Sequence, residues 1–387
     1  MNAHRLPRRQ RHARQRILAL ATPLLLTGAV LGTGPATASA AVCATWSGLQ
    51  PVSPGTGPDQ LNSVTVLSPC NAWAVGSSGD QTLIEHFNGA SWKVTGSPTP
   101  ASVQAVLYGV RALSAGNVWA VGNYYNGVRT DTLILHWNGR QWTKSASPNP
   151  GSSSTLAAVR GTAANNAWAV GRFTSGGVIK TLILHWNGRA WKQVRSPSPG
   201  LRNLLNAVAA TSASNAWAAG TLVKGGKTQT LLLHWNGHSW KQVRSPNPSS
   251  DAFLNGLGAS SAANVWAAGG YFKGGTNRTL LLHWNGHGWK QVRSPNLGGA
   301  SGRDTLDGVT VTAAGNAWAV GGYDNGNPPE HTLMLHWDGH SWRSVTGPHV
   351  GVESELFAVS ASSSTNLWAV GDSFDGASTQ TFAVHCC

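Results

Sequence analysis

The chain has 387 residues, 41% of them hydrophobic and 11% charged. That apolar share can bury a large core and excludes disorder over most of the length, while 47 glycines and 19 prolines without a Gly-X-Y period exclude collagen. The formal charge is +14, from 28 basic against 14 acidic residues, which outside a cell favours anionic partners such as acidic polysaccharides without setting the fold.

In chain order, residues 1–40 come first. Arg5, Arg8, Arg9, Arg11, Arg14 and Arg16 stand there without an acid. An apolar run covers residues 17–31, and Ala38-Ser39-Ala40 supplies a small-residue cleavage pattern. Basic, apolar and A-x-A segments in that order predict a secretory signal peptide cut after Ala40, and an extracellular mature protein over 41–387. The apolar run is too short for a membrane anchor and is broken by Gly32 to Pro35. No later stretch is long enough to span a bilayer. Arg8-Arg9 lacks the apolar pair of a twin-arginine signal, so the general export route is expected. Export leaves 22 basic against 14 acidic residues.

From residue 41 the chain repeats. Trp-Ala-Val/Ala-Gly begins at Trp73, Trp119, Trp168, Trp217, Trp266, Trp318 and Trp368, at spacings of 46 to 52 residues. A His-Trp-Asn-Gly-like signature follows each, with its histidine at 86, 136, 185, 234, 283, 336 and 385. A further Trp closes the unit at 92, 142, 191, 240, 289 and 342. With Trp46, these positions account for all 19 tryptophans; Phe87 and Cys386 replace Trp in the other two middle positions. A period near 50 marks a propeller or a solenoid.

Within a unit the hydrophobic period is two. In the third copy, residues 156–160, 167–171, 181–186 and 191–195 read as four strands. Asn187-Gly188 predicts a hairpin between the third and fourth. Four strands in a unit of this length make a propeller blade. There are seven copies of the first three strands but six fourth strands downstream of them. Cys43-Ala-Thr-Trp46 aligns with Gly188-Arg-Ala-Trp191, so the amino-terminal strand is expected to complete the last blade. The expected fold is all-β: a seven-bladed β-propeller of four-stranded antiparallel blades, closed by that strand, which removes open sheet edges.

The unit resembles kelch-type repeats. Gly269-Gly270 and Gly321-Gly322 match the double glycine after the second strand, and a Trp follows in the fourth. It is also similar to the Trp-rich repeats of Asp-box and photosystem-assembly-type propellers. The resemblance covers 42–387 and implies a fold, not a function.

Cys43, Cys70, Cys386 and Cys387 are an even set in an exported chain, which implies disulfides. The expectation is that Cys43 bonds Cys386 or Cys387 at the seam between the last and first blades, and Cys70 the other. The seven in-register histidines read as one buried hydrogen-bonding pin per blade, not as metal ligands, because equivalent atoms in neighbouring blades lie too far apart. The tryptophans read as core. Lys192 and Arg195, with Lys241, Arg244, Lys290 and Arg293, alternate along outer strands. They read as protection of a sheet edge, ahead of a polyanion groove.

Binding residues are sought first in the second-to-third strand loops, which vary while the framework stays constant. The candidates are Tyr124, Tyr125, Arg129, Phe173, Lys180, Lys224, Lys227, Tyr271, Lys273, Arg278, Tyr323, Asp324 and His331. At the axis, Asn62, Tyr108, Asn206, Asn255, Asp307 and Phe357 occupy equivalent places and are expected to line a channel mouth. No nucleophile elbow, P-loop or zinc-protease motif is present, and no catalytic residue, metal or cofactor is expected. The reading is a secreted, monomeric, non-catalytic propeller that binds an extracellular glycan or protein, without nucleic acid. The alternative is a polysaccharide lyase or glycosidase using Tyr108, Arg111, Arg160, Asp307 and His331 at the channel mouth.

Overall fold

The computed structural model describes residues 46–48, 50–98, 104–326 and 330–386. They form 27 strands and, among the described residues, no helix. The strands make seven consecutive antiparallel meanders, at 59–94, 105–144, 153–193, 202–243, 252–292, 304–344 and 353–386. The first six have four strands and the last has three. A single parallel bridge, Ile179 to Arg202, joins the third and fourth units.

Each unit is built the same way because its sequence is. In the second to fifth units the third strand carries the run Thr-Leu-Ile/Leu-Leu, buried on both faces between neighbouring units, and the other three keep a buried run there with Glu85, Met334 or Phe382 substituted. The second strand carries Trp-Ala-Val/Ala-Gly. Its glycine is required by close approach: a Cβ at Gly76, Gly122, Gly171, Gly220, Gly269, Gly321 or Gly371 would lie 1.9–2.1 Å from a carbonyl oxygen of the first strand. In every first strand the register slips at that level. The slip leaves Asn62, Tyr108, Ala157, Asn206, Asn255, Asp307 and Phe357 unpaired as β-bulges.

The core lies between units. The Trp opening each second strand meets, edge to face, the Trp of the next unit's fourth strand. Trp73–Trp142, Trp119–Trp191, Trp168–Trp240, Trp217–Trp289 and Trp266–Trp342 have centroids 5.0–5.4 Å apart. Trp368 of the seventh unit meets Trp92 of the first in the same way at 5.0 Å, and Trp318 of the sixth meets Trp46 at 5.2 Å. First and last units share one apolar cluster, Leu61 and Ala74 with Trp368 and Ala383.

The amino-terminal segment lies against the seventh unit. Ser47 and His385 exchange two backbone hydrogen bonds of 2.8 Å. Ser53 accepts from the Thr381 amide and bonds its hydroxyl at 3.0 Å. That is the role of Ser198 in the third unit, which accepts from the Thr181 amide and bonds its hydroxyl, both at 3.0 Å. Val52 donates its amide to Glu85 of the first unit at 3.0 Å.

The histidines are structural pins. His86, His136, His185, His234, His283 and His385 each donate Nε2–H to an Asn of the second strand at 2.7–3.1 Å. Burial lowers their pKa and favours the neutral ring. The middle tryptophans 137, 186, 235, 284 and 337 each donate to an Ala carbonyl at 3.0–3.2 Å.

One expectation is corrected. Cys70 carries a free, exposed thiol. It packs in the first turn of its own unit, where Ser214 and Ala263 stand in others, and its Sγ would lie 3.1 Å from a Cβ on Gly89. It is a filler against a hairpin glycine, not a bridge to the seam. Cys386 is buried and disulfide-bonded. Cys43, Cys387 and residues 1–40 lie outside the described residues.

Candidate functional site

Three places in the structure present polar groups that the framework does not consume: the axis, an acidic pocket beside it, and grooves on the outer rim.

At the axis the bulged residues turn inward. Asn62, Tyr108, Asn206, Asn255, Asp307 and Phe357 line one cavity of about 120 Å³. The bulge frees a carbonyl beside it, and the neighbouring unit's Asn takes it. Asn62 donates to Leu107 O and Asn206 to Leu254 O, both at 2.9 Å, and Asn255 donates to Asp307 Oδ1 at 2.8 Å. Farther along the same strands, Arg111 and Arg160 stand side by side. Burial and the Arg111 charge push the Arg160 guanidinium down to about 9.

The acidic pocket, of about 260 Å³, is lined by Glu330, Glu353, Ser354, Glu355, Asp372, Phe374 and Thr379. Glu355 and Asp372 face each other across the first two strands of the seventh unit. Gly322 gives them room: a Cβ there would lie 2.7 Å from Glu330 and 3.0 Å from Glu355. Glu355 also hydrogen-bonds Asp307. Burial, then the nearby carboxylates, push Glu355 up to about 9; burial first and Glu330 second push Asp372 up to about 6. Among the described residues no cluster of His, Cys, Asp or Glu is arranged to hold a metal ion.

No sequence motif marks this cluster of acids. The signal was in the charge order along the chain. Nine of the 14 acids fall in 304–387, where Arg343 is the only base, whereas 151–303 holds 16 bases and Asp251 alone among acids.

The rim grooves lie between successive units. The first is lined by Val194, Arg195, Ser196, Ser198, His238 and Trp240. The second repeats this with Arg244, Ser245, Asn247, His287 and Trp289, and the third with Arg293, Ser294, Asn296, His340 and Trp342. Their volumes are about 470, 790 and 680 Å³. The floors are held from behind, since Thr181, Thr230 and Thr279 bond Ser196, Ser245 and Ser294 at 2.5–2.7 Å. His238, His287 and His340 sit on turns whose amides are accepted by Asn236, Asn285 and Asp338. Arg195, Arg244 and Arg293 are exposed and have no carboxylate partner among the described residues.

The remaining sequence candidates are placed differently from expectation. Arg129 and Asp324 lie in loops, but the others sit in strand ends, because the second and third strands pair farther out. Phe173 faces Lys180, Lys224 faces Lys227, Tyr271 faces Arg278, and Tyr323 faces His331. Lys273 pairs with Thr276. Tyr124, Phe173, Tyr271 and Tyr323 pack on the cores of their units. Lys144 stands 3.9 Å over the Tyr124 ring, and Tyr125 donates its hydroxyl to Gly127 O. Arg129 is paired with Asp131, Asp324 with Arg303, and Arg278 donates to Gly299 O. None of these residues lines the axial cavity, the acidic pocket or a rim groove.

Comparison of the coordinates with solved structures finds the same architecture. YCF48 bound to D1 peptide superposes with a TM-score of 0.56 at 12% identity, over 88% of this chain and 94% of that one. The fold is that of a β-propeller. YCF48 from Cyanidioschyzon merolae gives 0.54 at 16% identity, over 89% of this chain and 99% of that one. The extracellular domain of a one-component system from B. thetaiotaomicron gives 0.56 at 13% identity, over 88% of this chain and 40% of that one. No protein-family model and no curated protein matches the sequence. In propeller terms the units are blades, and among the described residues no helix is long and apolar enough to cross a membrane.

Proposed function

We propose that this chain is a secreted, non-catalytic binding propeller that recognises an extracellular acidic glycan along its outer rim. The observation that carries the reading is the repetition of one groove at three successive seams, each with a free Arg, a turn His, a braced Ser and a Trp wall. Their volumes fall within the range of about 300–1,000 Å³ usual for ligand sites. A polymer with one acidic group per repeat suits a row of identical cationic grooves, because each linked contact raises the effective concentration at the next. Hydroxyl and amide linings suit sugars, whereas the Trp common to all three grooves, Trp240, Trp289 and Trp342, is buried and offers little ring face for stacking a base. Export is supported by the pattern of residues 1–40, and binding by a neighbour that holds a peptide.

The same reading takes the propeller as seven blades closed by the amino-terminal segment. It is supported by Trp46, Ser47 and Ser53, which occupy fourth-strand roles against the seventh blade.

The lyase or glycosidase alternative has less support. Tyr108, Arg160 and Asp307 line the axis, but a cavity of about 120 Å³ is small for a sugar chain, and His331 is not part of it. His331 instead pairs with Tyr323 and faces His349. Asp307 and Glu355 hydrogen-bond each other, closer than the ~5 Å needed to flank a glycosidic bond.

The test is retention of purified protein on an array of neutral and acidic polysaccharides, with released sugars measured in parallel. Retention on acidic members without release is expected. No retention on any member, or steady release of product, overturns the proposal.

A further inference from the structure

Opposite the first Trp of each blade stands one residue of the innermost strand, on the side of the neighbouring blade. In five blades that residue is small: Thr65, Ala209, Gly258, Thr310 and Ser360. In the second and third blades it is Arg111 and Arg160. Two neighbouring guanidiniums thus stand where the other five blades carry small side chains. Arg160 lines the axial cavity. The Arg111 Nε is buried without a hydrogen-bond partner. Neither arginine takes part in any ion pair among the described residues. The one acid on the cavity wall, Asp307, sits three residues earlier along the strand of the sixth blade and is bonded to Asn255 and Glu355.

Two adjacent cations withdrawn from water without a counter-charge are costly. Hydrophobic residues would pack such a place at no such cost. A carboxylate, sulfate or phosphate oxygen pair matches the guanidinium fork and supplies the missing charge. The cavity, at about 120 Å³, takes a small ion and no more.

We propose that Arg111 and Arg160 form a binding site for one small oxyanion in the axial channel. This site is separate from the rim grooves, and its test does not depend on glycan binding.

The experiment measures thermal unfolding of the full protein against sulfate, phosphate and acetate at constant ionic strength, with chloride as the balancing salt. Wild type should gain stability saturably with at least one oxyanion, with half-effect on the order of 1 mM. Arg160→Met and Arg111→Met should lose at least about tenfold in that apparent affinity. Without added oxyanion both variants should unfold no earlier than wild type, because each removes an unpaired charge. Arg111→Lys keeps the charge without the fork and should bind with intermediate affinity. Equal responses in wild type and both Met variants, or no saturable response in wild type, overturn the site. Saturation by chloride alone overturns the oxyanion assignment. Variants that unfold earlier in oxyanion-free buffer show the arginines to be structural supports, and overturn it as well.

Discussion

Glu355 illustrates how one residue's surroundings set its charge. It faces Asp372 across a strand pair, bonds Asp307 and approaches Glu330 over Gly322. Its carboxyl is held protonated up to about 9, against an ordinary value of 4.5. The folded protein therefore keeps a proton that the unfolded chain releases, and stability falls as pH rises across that window. Glu355→Gln keeps the neutral shape. Its melting temperature should match wild type at pH 5 and exceed it at pH 9; parallel curves for the two proteins would refute the assignment. The histidine pins make a second residue-scale test. Asn215→Ala leaves the buried His234 Nε2–H unsatisfied and should cost about 1–3 kcal/mol in urea unfolding. Asn316→Ala should cost much less, because Asn316 Oδ1 and His336 Nε2 are already without partners.

At the scale of the strand, closure is the quantity to test. Trp46 meets Trp318 as Trp191 meets Trp119. Trp46→Ala and Trp191→Ala should then destabilise by similar amounts, about 3–5 kcal/mol, measured by chemical unfolding. A much smaller loss at Trp46 would mean that the amino-terminal segment only rests on the seventh blade. Most of this architecture was legible in the sequence, because the Trp and His positions repeat and large buried aromatics tolerate few surroundings. The bulge was not, since nothing in Leu-Asn or Leu-Tyr marks an unpaired residue; it is imposed by the curvature of the inner strand. The strand-end candidates misled for a related reason. Tyr271 and Tyr323 have the composition of a binding loop, yet pairing extends past them and turns their rings onto the blade core. Glu355 was obscured because the equivalent positions of the other first strands carry Gln60, Val106, Thr155, Leu204, Phe253 and Thr305, none of them charged.

The whole molecule is charged unevenly. The third to fifth blades are strongly basic, and the sixth and seventh are acidic. Fields of that kind act on encounter more than on final fit. The association rate with an acidic polysaccharide should fall steeply between about 20 and 200 mM salt, where the Debye length shrinks below ~10 Å. Arg195→Gln, Arg244→Gln and Arg293→Gln combined should weaken binding far more than Lys224→Gln, Lys227→Gln and Lys273→Gln, although both sets remove three charges. Surface plasmon resonance across a salt series decides between grooves and diffuse attraction.

The bridge between Ser47 and His385 spans 338 residues of sequence. During synthesis Trp46 emerges early, while the strand Thr379–Cys386 that receives Ser47 is made last of the seven blades. Until then Ser47 lacks its backbone partner, and Trp46 has only the sixth blade, at Trp318, to pack on. On the closure proposed above, shortening the chain by the length of that one strand should leave six complete blades without the seam that joins last to first. Loss of a few residues there should therefore be sensed by proteases over the entire molecule, and not as damage to a single blade.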